Sequence, residues 1–138
     1  REFMRTHGNP TQWGSSRPAE ETVRRDVAEG RSYLVCEDGR ILGVFACLPG
    51  PDPTYALIEE GEWQNSLPYA VIHRIAAAES GRGILGSALR FAESLAPSVR
   101  IDTHPDNAPM RHLLEREGFC RCGIIYTDDG TVRLAYQK

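Results

Sequence analysis

The chain has 138 residues, 41% hydrophobic and 25% charged, the size and make-up of one globular domain with a single core. Sixteen basic against nineteen acidic residues leave a formal charge of −3, which argues against a nucleic-acid binder working mainly by electrostatics. No apolar run approaches the ~18 residues of a membrane-spanning helix, and Arg1-Glu2-Phe3-Met4-Arg5 lacks a signal-peptide pattern, so a cytoplasmic protein without membrane contact is expected.

In chain order, a short helical stub leads into a Gly/Asn/Pro/Ser-rich loop over residues 7–18. Pro18 opens an amphipathic helix through Glu29, with Ala19, Thr22, Val23 and Val27 as its apolar stripe and Gly30 at its end. Residues 32–37 and 41–48 are β-rich runs around Asp38-Gly39-Arg40, a hairpin signal. Pro49-Gly50-Pro51-Asp52-Pro53 then breaks the chain, and no clear periodicity returns before Pro68. Tyr69–Ala76 reads as a buried strand, Gly81-Arg82-Gly83 as a turn, and Ile84–Leu95 as a helix stopped by Pro97. Val99–Thr103 is a short strand, and Asn107 caps a helix that ends at Gly118. Phe119–Tyr126 and Thr131–Tyr136 flank Asp128-Asp129-Gly130 as a terminal hairpin. The succession predicts one domain over 1–138, a mixed α/β sheet with helices packed on it. The cysteines (Cys36, Cys47, Cys120, Cys122) form no C-x-x-C pair and have no histidine at ligand spacing, so buried reduced thiols are expected and no metal site.

The chemistry concentrates where the strand at 69–76 passes through Gly81-Arg82-Gly83-Ile84-Leu85-Gly86-Ser87 into a helix. Glycines let the backbone approach a ligand, and the first N–H groups of a helix have no carbonyl partners, so such a turn suits a pyrophosphate. Arg82 adds a charge-assisted contact. A Walker loop is excluded because Leu85-Gly86-Ser87 lacks its lysine, and a dinucleotide fold because the glycine turn follows two earlier strands. No Gly-x-Ser-x-Gly elbow accompanies Asp102 and His104, which removes a hydrolase triad.

Tyr69–Ser87 followed by Asn107–Phe119 resembles the core of the GNAT superfamily of N-acetyltransferases. In that family a strand leads into an Arg/Gln-x-x-Gly-x-Gly/Ala turn, and a neighbouring strand leads into a helix that begins with Asn and ends in Gly-Phe. Here these parts are His73-Arg74-Ile75-Ala76, Arg82-Gly83-Ile84-Leu85-Gly86, and Asn107 through Gly118-Phe119. The resemblance implies a mostly antiparallel mixed sheet whose central strands splay apart, flanked by helices, with acetyl-CoA as cofactor and a small-molecule or peptide amine as acceptor. Three departures stand out. Leu85 replaces the second turn glycine, Leu114 stands where many members carry a tyrosine, and the family's first strand is missing. That last departure predicts an N-terminally incomplete domain with an open sheet edge, and with it a homodimer.

The resemblance also assigns roles. Ile75 and Ala77 would hold the pantetheine amides through their backbone, Arg82, Gly83, Ile84, Leu85, Gly86 and Ser87 the pyrophosphate, and Asn107 the cofactor or its loop. His73 is the expected base; Thr103 and His104 rank behind it, and Tyr126 or Tyr136 would supply a hydroxyl in place of Leu114. Gln12, Trp13 and Trp63 are expected to wall the acceptor pocket. The alternative is a catalytically silent acyl-CoA-binding or partner-binding module on the same fold, motivated by Leu85 and Leu114.

Overall fold

Two hairpins and one helical crossover build the sheet. The computed structural model describes residues 1–79 and 81–138. The elements are α1 (Glu2–Thr6), α2 (Glu20–Ala28), β1 (Ser32–Glu37), β2 (Arg40–Pro49), β3 (Tyr69–Ala77), α3 (Ile84–Leu95), β4 (Ser98–Thr103), α4 (Ala108–Arg116), β5 (Cys120–Tyr126) and β6 (Val132–Gln137), with a 3-10 turn at Pro53–Tyr55. The strand order is β1-β2-β3-β4-β6-β5. Only β3 and β4, joined through α3, run parallel; every other neighbouring pair is antiparallel. The expected mixed, mostly antiparallel sheet is present, with β1 at one edge and β5 at the other.

Alternation along β3 divides the core. Ala70 and Ile72 join the larger cluster under α3 and α4, with Leu85, Ala88, Leu89, Ala92, Ile101 and Leu114. Val71 faces the other way, into a smaller cluster with Tyr55, Ile125 and Ala135, covered by Ile58, Trp63 and Tyr69. The aperiodic segment between β2 and β3 therefore folds over the second face, and its buried Tyr55 anchors it there. Helix α3 buries Ile84, Leu85, Ala88, Leu89 and Ala92 as one stripe, the spacing of a helix lying flat on a sheet. Leu114, at the position of the family's tyrosine, is fully buried core.

Two local readings are corrected. Val23 and Val27 of α2 are exposed; among the residues of that helix only Asp26 is buried. Cys36 and Cys120 are exposed, while Cys47 and Cys122 are buried, and all four thiols are free. Cys120 and Cys122 do not share a face because Cys122 is the extra residue where the β5–β6 register shifts. No helix among the described residues is long and apolar enough to cross a membrane.

Candidate active site

The central strands separate. Their pairing covers Tyr69 with Ser98, Ala70 with Val99 and Val71 with Arg100, and stops there, although β3 continues to Ala77 and β4 to Thr103. Each strand keeps its outer partner through this stretch: β3 stays on β2 as far as Ala77 opposite Gly43, and β4 stays on β6 as far as Thr103 opposite Leu134. Two backbone edges thus face each other without a ladder between them. Unpaired backbone N–H and C=O groups in such a cleft suit an extended, amide-bearing ligand that adds itself as a strand. Ile75 and Ala77 lie on this stretch of β3.

The mouth of α3 opens beside the same end. A Cβ on Gly43 would stand 2.8 Å from the Ala76 carbonyl oxygen and 2.9 Å from Ile84 Cδ1, so the absence of a side chain there lets the first turn of α3 sit against β2 and β3. Gly83 caps that helix in the left-handed conformation (φ 67°), which glycine adopts without strain. No side chain caps it, and the N–H groups of Ile84, Leu85 and Gly86 open the helix with no partner among the described residues. Leu85 therefore contributes its backbone to this mouth while its side chain packs in the core. Ser87 differs from its expected role: its N–H already closes the first helical turn on the Gly83 carbonyl at 3.0 Å, leaving only a hydroxyl, which accepts from Arg90. The Arg82 guanidinium is paired with Glu37 at the end of β1.

On the opposite face of the sheet, past the point where pairing stops, His73 meets two carboxylates. Its Nε2 lies 2.9 Å from Asp52 Oδ2 and its Nδ1 lies 3.7 Å from Asp102 Oδ2. Asp52 also accepts from the Thr54 N–H at 2.9 Å and the Thr54 hydroxyl at 2.6 Å. Burial pushes the Asp52 carboxyl up, but the hydrogen bonds from His73 and Thr54, with the imidazole charge, outweigh it and hold it at about 2. Asp102 accepts from the Tyr55 hydroxyl at 2.8 Å, and its second oxygen lies 3.8 Å from Nε of the buried Arg133. Burial first, then the Asp102 carboxylate, push the Tyr55 phenol well above its usual range, so it remains a donor. A neutral imidazole that donates its Nε2 proton to Asp52 presents its Nδ1 lone pair toward Asp102, with 3.7 Å between them.

The remaining expected residues divide. Thr103 lies one residue beyond Asp102 and so points to the other face of β4, beside Ile101; it is buried and its hydroxyl has no partner among the described residues. Tyr126 is not brought to His73 either: it lies on the edge strand β5, its hydroxyl donating to Glu59 at 2.8 Å. Tyr136 is core. Burial first, then Arg133, lower the His104 pKa. Trp63 packs behind Tyr55, its indole N–H on the Tyr55 carbonyl and its ring under the Arg100 guanidinium. Asn107 caps α4 by accepting from the Met110 N–H, and its amide donates to Gln12 Oε1 at 3.1 Å. Gln12 also accepts from buried Asn9, so the 7–18 loop is tied to the start of α4; Trp13 is half-buried within that loop. Asp52, Tyr55 and Asp102 complete the cluster, and only Asp102 had drawn notice in the sequence, as a partner for the wrong histidine.

Comparison with known proteins bears on the family and the fold. The sequence profile of the Acetyltransferase (GNAT) family matches residues 2–119. A GNAT family acetyltransferase from Streptococcus agalactiae is 33% identical, with a TM-score of 0.84 over 99% of this chain and 81% of its own. Two more distant structures share the fold. One is a GNAT family acetyltransferase from Elizabethkingia anophelis with acetyl-CoA bound (19% identity, TM-score 0.59, 88% of this chain and 84% of its own). The other is Arabidopsis thaliana Naa50 in complex with a bisubstrate analogue, CoA-Ac-MVNAL (15%, 0.61, 99% and 91%). A search of curated protein sequences finds no match.

Proposed function

The chain belongs to the acetyltransferase (GNAT) family, and on that premise we propose that it transfers an acetyl group from acetyl-CoA directly to an amine of a small molecule or peptide, with His73 as the general base. The observation that carries this reading is the separation of β3 from β4 beside the uncapped mouth of α3. The residues suit the cofactor: two unpaired edges for its amides, and three free helical N–H groups for its diphosphate. When bound, it supplies the thioester carbonyl that the amine attacks and the thiolate that leaves.

The chain's own contribution follows from the cluster. The half-buried carboxylates of Asp52 and Asp102 favour a cationic acceptor over a neutral one. His73 Nδ1 removes the proton from the incoming ammonium, and the Nε2 hydrogen bond to Asp52 fixes the ring and its tautomer. Tyr55 holds Asp102 in place for the imidazolium that forms. A backbone N–H on the free edge near Ile75 would be available to stabilise the oxyanion. The four unpaired cysteines support a reducing, cytoplasmic setting, and the open edge of β1, with Leu34 exposed, supports pairing with a second copy.

Leu114 favours a second reading. It is fully buried and offers no hydroxyl to the departing thiolate, as in a silent acyl-CoA-binding module. Isothermal titration with acetyl-CoA, followed by CoA release across an amine library, separates the two. Saturable binding with turnover is expected; binding without turnover selects the silent module, and no heat from folded protein at millimolar cofactor rejects both.

A further inference from the structure

Within β3, one residue departs from strand geometry. Arg74 has φ 51°, the left-handed region that a side chain with a Cβ disfavours. It lies where the β2–β3 register shifts: Ala46 opposes His73 and Val44 opposes Ala76, so β3 carries one residue more than β2 across this interval. Such a bulge bends its strand and re-aims the residues on either side. Here those residues are His73 and the Ile75–Ala77 edge.

The strained conformation is held from outside the strand. Arg74 Nε donates to Asp26 Oδ2 at 2.5 Å and Nη2 to Asp26 Oδ1 at 2.9 Å, a two-pronged fork. Asp26 is the one buried residue of α2, and its carbonyl accepts from the Arg31 N–H at 2.7 Å, which ties the helix end to the entry of β1. We propose that Asp26 is a positioning residue: by gripping Arg74 it keeps the bulge in the left-handed conformation that aims His73 and the free edge of β3. The proposal rests on the acyl-transfer reading of that cleft. It assigns α2 a task that its exposed Val23 and Val27 do not suggest.

Glycine provides the test, because it adopts the left-handed conformation without a clamp whereas alanine does not. Asp26→Asn is expected to lower kcat about tenfold while acetyl-CoA binding changes less. Adding Arg74→Gly restores kcat to within about threefold of the parent, and adding Arg74→Ala does not. A purely structural ion pair predicts no such contrast, since glycine and alanine remove the orphaned cation equally. The backbone amide resonances of Ile75–Ala77, recorded without any substrate, should move in Asp26→Asn and in its Arg74→Ala partner and return in its Arg74→Gly partner. That readout scores the clamp even if the parent protein shows no acetyl transfer, which would sink only the functional reading. Should Asp26→Asn not fold, the single variants Arg74→Gly and Arg74→Ala give the same contrast. Equal kcat and equal shifts in the glycine and alanine variants, or an unperturbed Asp26→Asn protein, overturn the proposal.

Discussion

The two halves of the β3–β4 pair belong to one sheet, and they do opposite things. In the first half, Tyr69–Val71 is laddered to Ser98–Arg100. There the Arg100 guanidinium lies 4.0 Å from the ring centroids of both Trp63 and Tyr69 and donates to the Asn65 carbonyl at 2.9 Å. Fully buried Gln137 ties Asn65 to Ser98 behind it. In the second half the ladder is gone, and the basic side chain is an imidazole between carboxylates. The contrast shows how one strand pair can hold the fold in one half and leave a cleft in the other. Where the strands are zipped, a cation that stays protonated is sheltered by two aromatic faces and a carbonyl. Where they part, backbone groups stay available and the polar side chains keep a share of solvent.

Substitutions at each half can break that contrast. The largest effect is expected from His73→Ala, a fall in kcat of about 10²–10⁴, the usual weight of a general base. Acetyl-CoA affinity should be retained, and added imidazole should restore part of the rate. An unchanged kcat would remove His73 from the chemistry. Next, Arg100→Leu in the zipped half should cost about 3 kcal/mol of stability in urea unfolding, through loss of a desolvated cation–π pair and a buried hydrogen bond. Its kcat, measured on folded protein, should stay within a few-fold. A large catalytic loss without destabilisation would show that the halves are not separable. Asp52 sharpens the comparison with a smaller effect. Its carboxyl is held at about 2 in the fold against an ordinary 3.8, which corresponds to about 2 kcal/mol. Because the folded value is the lower one, that stability is present above pH ~5 and is lost as pH falls through 4 toward 2. Unfolding of parent and Asp52→Asn at pH 7, 4 and 3 should converge as pH falls; a constant gap would contradict the assignment.

Much of the fold was legible because its signals are local. The glycine turn and Pro97 bracket a helix observed at Ile84–Leu95, as expected, and Asp38-Gly39 marks a tight hairpin. His73 stood out as an ionisable residue in an apolar run. Its partners did not, for two physical reasons. Asp52 and Tyr55 come from a proline-broken segment without periodicity, and Tyr55 reaches Asp102 across 47 residues, a contact no local pattern records. Facing is the second reason. Thr103 and Asp102 are equally good strand-end residues, and only the alternation along β4 within the assembled sheet decides that Asp102 shares a face with His73. Arg74 left a trace, an arginine inside a buried strand. Reading Tyr69–Ala76 as regular missed the bulge that its charge partner on α2 sustains.

The pairing of Arg82 with Glu37 has a consequence for how an anion is received. An arriving diphosphate meets a guanidinium that already has a counter-charge, so any contact with it is an exchange of one anion for another. The net attraction is the difference between the two, further weakened by solvent at an exposed position. The amides at the start of α3 would give up no partner among the described residues on binding the diphosphate. Under the proposed function, recognition therefore falls to the main chain, and the arginine mostly sets how strongly the approach responds to salt.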